Sequence, residues 1–128
     1  MQITERILND VAILVIDGQL VSDQGASRLT DAIIDLRHRS FSRVIIDLSR
    51  SAYMDSAGLG SLIQAYATIS KAGGTLRLMG VTARLRNLLA ITKLVTIFET
   101  FDDEGAAVAS FSAEPAGAPV PVIATRRG

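Results

Sequence analysis

Apolar and polar positions along this chain alternate with two different periods, and the places where the period changes mark its elements. Ile3 to Leu8 and the run Val11-Ala12-Ile13-Leu14-Val15-Ile16 are separated only by the turn pair Asn9-Asp10, which predicts two strands joined by a hairpin. The second run is continuously apolar and closes at Asp17-Gly18, so it is expected inside a sheet rather than at its edge. The period then lengthens. Ala26, Leu29, Ala32, Ile33 and Leu36 recur at helical spacing while Arg28, Asp31, Asp35 and Arg37 fall elsewhere, predicting an amphipathic helix capped by Ser22 or Asp23.

Val44-Ile45-Ile46-Asp47-Leu48 has the β-branched, doubly covered pattern of a central parallel strand. After a connector from Ser49 to Met54, a second helix is expected to begin near Ser56, with Leu59, Leu62, Ile63, Tyr66 and Ile69 as its buried stripe and Gly73-Gly74 as its stop. Thr75 to Met79 alternates as a strand, Gly80 breaks it, and Val81, Leu85, Leu88, Leu89 and Thr92 mark a third helix. Val95 to Phe98 is predicted as a last short strand. Asp102, Asp103 and Glu104 favour the dipole of a final helix that Ala106 to Phe111 continue. The expectation is an α/β fold: one domain over residues 1–111, with a mixed sheet of four to five strands and about four helices. Residues 112–128 hold all three prolines and read as a mobile tail.

Charge and composition narrow the function. Thirteen Lys plus Arg balance thirteen Asp plus Glu over 128 residues, so no cationic excess favours nucleic acid or an anionic membrane non-specifically. Cysteine is absent, which excludes disulfides, thiolate nucleophiles and Cys-ligated zinc. No apolar run reaches the length of a membrane span, and Glu5 and Asp10 interrupt the stretch where a signal peptide would need continuous apolarity, so the expected compartment is the cytoplasm. With no Trp, two Tyr and four Phe, the core must be aliphatic.

Candidate chemistry is sparse. His38, the sole histidine, stands in Arg37-His38-Arg39 at a helix end and reads as a solvated cation interacting with the dipole. No zinc-protease, nucleophile-elbow or P-loop spacing occurs, and Gly58-Leu59-Gly60 lacks the third glycine of a dinucleotide fingerprint. The chain is therefore expected not to be an enzyme and to hold neither metal nor cofactor. What stands out is Asp55-Ser56-Ala57-Gly58-Leu59-Gly60, which follows a buried strand and opens a helix. Each glycine disfavours the helix by about 1 kcal/mol relative to Ala. Two explanations stay open on residue physics alone: close packing, with Ser56 as N-cap for the Gly58 or Leu59 N–H, or an interaction surface.

Asp47-Leu48 followed by Met54-Asp55-Ser56-Ala57-Gly58-Leu59-Gly60 resembles the signature of STAS-domain anti-sigma factor antagonists. The likeness extends to the element order, to Gly18-Gln19-Leu20 before the first helix and to Gly73-Gly74, covering roughly residues 2–111. The resemblance implies a phosphorylation-controlled switch. In that family the serine after the motif aspartate, here Ser56, is phosphorylated by the partner anti-sigma factor, a serine kinase. The unphosphorylated antagonist captures that factor and frees a sigma factor, and a serine phosphatase reverses the modification. Partner-binding residues would be Asp55, Ser56, Ala57, Gly58, Leu59 and Gly60. Asp23 would join them as a substitute for an acidic residue that the family often carries where Val21 and Ser22 stand. A phosphate at this helix start is expected to act by excluding the partner, with little change in backbone. Two other readings share these residues: a constitutive STAS scaffold subunit of a stress-signalling or lipid-transport assembly, and a small-molecule or anion sensor.

Overall fold

Period-two and period-3.6 segments resolve into one sheet with helices on both of its faces. The structure, a computed structural model, describes residues 1–21, 25–51, 53–94 and 97–112. Its elements are β1 (Gln2–Leu8), β2 (Val11–Asp17), α1 (Gly25–His38), β3 (Arg43–Arg50), α2 (Ser56–Lys71), β4 (Thr75–Met79), α3 (Ala83–Ile91), β5 (Thr100–Phe101) and α4 (Glu104–Ser112). The strands lie in the order β1-β2-β3-β4-β5. β1 runs antiparallel to β2 through a turn in which Asn9 adopts φ 58°, a conformation that Asn tolerates better than most residues. The other pairings are parallel, each crossed over by a helix.

Because successive strands are added in one direction, crossovers of a single hand place α1, α2 and α3 on the same face. That face carries the larger core: Ala12, Leu14 and Ile16 of β2, Val44, Ile46 and Leu48 of β3, and Leu76 and Leu78 of β4 pack under Leu29, Ile33, Leu36, Leu62, Ile69, Leu85 and Leu89. Alternate residues of the same strands, Val11, Ile13, Ile45 and Met79, form a smaller core with Ala107 and Phe111 of α4. The aliphatic core and the interior position of β2 and β3 agree with expectation.

On the α4 face, Arg77 projects from β4 into a buried site. Its Nε donates to Glu99 Oε1 at 3.0 Å, and its guanidinium stacks 4.4 Å from the centroid of the Phe111 ring, so charge pairing and the ring face offset its desolvation. Arg6 of β1 reaches across to pair with Glu104 at the start of α4.

The expected strand at Val95–Phe98 is corrected. Val95 and Thr96 lie outside the described residues, while Ile97 and Phe98 form a turn and bend. Phe98 is buried because its ring meets Tyr66 edge-on, 5.4 Å between centroids. Its apolar signal comes from core filling, and the last strand is β5, two residues paired with Leu78 and Met79. The caps expected at Ser22 or Asp23 and the proline-bearing tail lie outside the described residues, except that α4 runs to Ser112. No described helix is long and apolar enough to cross a membrane.

The hydrogen bond from Arg6, with the attraction of its charge, holds the Glu104 carboxyl below its ordinary value. A carboxylate lowered in this way contributes stability above its unfolded pKa and loses the contribution as pH falls through the lowered value. Glu104→Gln should therefore destabilise the fold at neutral pH, by less than about 1 kcal/mol because the pair is largely solvated. The difference from wild type should vanish in strong acid; thermal unfolding followed by circular dichroism at both pH values checks this.

Candidate functional site

The Asp55–Gly60 segment sits where β3 gives way to α2. Two connections leaving neighbouring parallel strands meet there. After β2, the Gly18 N–H donates to the Arg50 carbonyl at 3.1 Å and the Leu20 N–H to the Tyr53 carbonyl at 3.0 Å, while the Asp55 N–H returns a bond to the Leu20 carbonyl at 3.3 Å. Leu20 and Met54 form an isolated parallel bridge, and both side chains are buried in the main core.

Gly58 is buried beneath this junction. A Cβ built on it would stand 1.9 Å from the Leu20 carbonyl oxygen and 3.1 Å from Met54 Cβ. Only a residue without a side chain lets the β2–α1 connection lie this close to α2. Gly60 is different, since a Cβ there would meet nothing within 4 Å. Of the two explanations left open for the glycine pair, packing therefore accounts for Gly58 and leaves Gly60 to the open surface. The missing side chain of Gly58 does not serve to admit a partner. The packing neighbour is the carbonyl of Leu20 in the β2–α1 connection.

Capping is also corrected. Ser56 is the first residue of α2, and Asp55 is its N-cap, with extended backbone and a side chain whose Oδ1 accepts the Gly58 N–H at 2.9 Å. The Asp55 carbonyl accepts the Leu59 N–H at 2.9 Å. Asp and Ser are equally good caps, and the Leu20 junction selects Asp55 by fixing where the helix begins. Ser56 is left exposed, and among the described residues no hydrogen bond engages its Oγ. Ala57 is partly exposed. Leu59, expected either to pack inward or to meet a partner, is partly buried against the core. Ser61 Oγ donates to the Gly58 carbonyl at 2.7 Å, adding a buried bond within the first turns.

The structure thus brings Asp55, Ser56, Ala57, Gly58, Leu59 and Gly60 together and divides their work. Asp23 lies outside the described residues. Asp47, quoted with the motif, belongs elsewhere: it pairs in register with Val15 and Met79, on the α4 side, and its Oδ1 accepts the Ser49 N–H at 2.9 Å. Sequence reasoning missed Leu20 and Met54 as the clasp beneath the site. Gly58 carried the signal, because a buried glycine in a helical first turn implies a backbone in close approach. Tyr53, exposed beside the site, was also missed and carries no sequence signal of its own.

Comparison with known proteins accords with this geometry. A family model described as "STAS domain" matches residues 2–107. The anti-sigma F factor antagonist of Paenibacillus polymyxa is 28% identical over 97 residues, covering 73% of this chain and 80% of that protein. The anti-sigma-B factor antagonist of Listeria monocytogenes is 40% identical over 60 residues, 47% of this chain and 53% of that protein. Among solved structures, a candidate anti-sigma factor antagonist of Thermotoga maritima superposes with a TM-score of 0.78 at 23% identity, over 84% of this chain and 92% of that one. The Bacillus cell fate determinant SpoIIAA in its phosphorylated form gives 0.68 at 14% identity, over 84% and 97%. At these identities the two structures establish the fold.

The two glycines should respond oppositely to the same substitution. Gly58→Ala forces the Leu20 carbonyl away from α2 and should cost about 2 kcal/mol or more, in the range of overpacked cores. Gly60→Ala has room for its methyl and should stabilise the helix by about 0.5–1 kcal/mol. Urea denaturation of both variants checks the pair, and equal effects would contradict the assignment.

Proposed function

This chain belongs to the STAS domain family, and on that premise we propose that it is an anti-sigma factor antagonist whose partner surface centres on Ser56 and is switched off by phosphorylation there. The observation that carries the reading is the division of labour at the start of α2: Asp55 supplies the cap, so the exposed Ser56 hydroxyl has no structural duty among the described residues. A kinase can modify it without dismantling the helix. The names of the Paenibacillus and Listeria relatives supply the regulatory context.

In this reading the unphosphorylated chain captures an anti-sigma factor that is also a serine kinase, and a sigma factor is released. Transfer of the ATP γ-phosphoryl group to Ser56 Oγ leaves ADP, the hydroxyl proton going to the kinase. The modified serine adds about 1.5 to 2 negative charges. Helix N-termini accept such charge, since the first N–H groups lack intrahelical partners and the dipole is favourable. The fold is retained, while bulk and charge beside Asp55 exclude the partner. A serine phosphatase resets the surface. Ser56, Ala57 and Gly60 form the accessible contact, Leu59 contributes its exposed part, and Gly58 and Asp55 hold the platform. Asp23, outside the described residues, is included among the partner contacts on the family resemblance alone. The chain acts as a binding switch without catalysis of its own, in the cytoplasm, where sigma factors work.

Capture experiments with wild type, Ser56→Ala and Ser56→Asp in extracts of the native cell test this. A kinase should be retained by the first two and lost, or held at least about tenfold more weakly, by the third, although Asp carries less charge than phosphoserine. Purified with that kinase and labelled ATP, wild type should be marked at Ser56 alone. Equal capture by all three variants would replace the switch with a constitutive scaffold, and label at Ser61 would overturn the site.

A further inference from the structure

One edge of the sheet is β5, two residues long, and the other is β1, seven residues long, with no strand on its outer side among the described residues. A free edge of that length offers a row of N–H and C=O groups to any extended chain, and proteins blunt such edges with prolines, bulges or unpaired charges. β1 carries none of these. It has no proline, its register with β2 is unbroken, and its charges are engaged, Glu5 with Arg39 and Arg6 with Glu104. Ile7 and Leu8 are 46% and 41% exposed.

The hairpin determines which backbone groups are free. Leu8 and Val11 flank a two-residue turn and bond to each other, so by antiparallel alternation Arg6 and Thr4 bond to β2 as well. Ile3, Glu5 and Ile7 therefore turn their N–H and C=O groups outward. Leu8 shares the face of its partner Val11, on the α4 side, and Ile7 that of Ala12, on the α1 side. A strand added to this edge would cover an apolar side chain on each face.

The C-terminal residues have the matching property. Pro115, Pro119 and Pro121 all occupy odd positions, while Val120, Val122 and Ala124 keep their N–H groups. In an extended chain successive N–H groups point to opposite edges. Through residues 119–124 one edge lacks two donors and the other has its full set, which is the pattern of a strand that pairs on one side only. Val120, Val122 and Ile123 are β-branched and suit a strand. Reach and direction follow from α4. The Phe111 ring lies 5.8 Å from the Arg43 guanidinium, and Arg43, in register with Val11, pairs with Asp10 of the hairpin turn. The chain thus leaves α4 near the Leu8 end of β1. β1 is two strands, about 10 Å, from β3, and residues 113–118 can span up to about 20 Å.

We propose that residues 119–124 add to β1 as a further, antiparallel strand, with Val120, Val122 and Ala124 bonded to the outward groups of Ile7, Glu5 and Ile3 and the prolines on the solvent edge. The new outer edge has no donor at Pro119 or Pro121, which stops further pairing. A second copy fits the same edge less well, because antiparallel pairing along all of β1 sets Glu5 opposite Glu5. The proposal is independent of the switch at Ser56.

The test is amide hydrogen exchange on the isotope-labelled full-length chain, read together with nuclear Overhauser contacts between residues 119–124 and β1. Ile3, Glu5 and Ile7 should be protected along with Val120, Val122 and Ala124, and dilution should not change the rates. Position parity supplies the decisive pair of variants. Val122→Pro removes an inward donor and should raise exchange at Ile3, Glu5 and Ile7 about tenfold or more, whereas Ile123→Pro, on the solvent edge, should leave them protected. Free exchange at Ile3, Glu5 and Ile7 in the wild type, no contacts from residues 119–124, or equal effects of the two prolines would overturn the proposal. Protection that fades on dilution would assign the edge to a second copy and overturn it as well.

Discussion

The contact between the Leu20 carbonyl and the bare Cα of Gly58 determines the geometry of everything around it. A Cβ at Gly58 would stand 1.9 Å from that oxygen, far inside van der Waals contact. Its absence lets the connections leaving β2 and β3 pair as one unit through Leu20, Tyr53, Met54 and Asp55. That unit fixes the first residue of α2. Once the start is fixed, Asp55 stands in the capping position and accepts the Gly58 N–H, and Ser56 passes to the exposed first turn. The same glycine is thus both the place where the loop docks and the donor to the cap.

What reads in the sequence as a single motif is therefore two interleaved sets. Asp55 and Gly58 build the platform. Ser56, Ala57 and Gly60 are displayed on it, and Leu59 spans the boundary. Asp47, though quoted in the same signature, lies within β3 on the opposite face, where its side chain accepts the Ser49 N–H. The separation suits the proposed switch, because Ser56 can change its chemistry while the capping of α2 stays with another residue. A neighbouring aspartate relieves Ser56 of that duty.

Most of the fold was legible because burial imposes period. β2 and β3 are covered on both faces and read as continuous apolar runs, and Thr75–Met79 was placed to the residue because Gly73-Gly74 and Gly80 bracket it. β5 was misplaced because two paired residues leave no periodic trace, whereas the buried Phe98 beside it is a stronger apolar signal with a different cause. The cap was assigned one residue late, since adjacent Asp and Ser are equivalent locally and only the distant Leu20 decides between them. Arg77 reads as the polar member of an alternating strand, and that it lies buried against Phe111 depends on a helix nearly thirty residues further on. The candidate site itself was located from its residues, but the reasons for those residues lie in contacts between segments.

The central claim is that Ser56 stands on a platform already complete without it, so that modification alters a surface and not a fold. The amide spectrum of the isotope-labelled chain, recorded before and after stoichiometric phosphorylation of Ser56, tests it most directly. Shift changes should be confined to the junction of Leu20 and Tyr53 with the first turns of α2, and the rest of the sheet should superimpose. Widespread shifts through β2, β3 and α1 would show that the phosphate works by rearranging the fold, and would contradict the account.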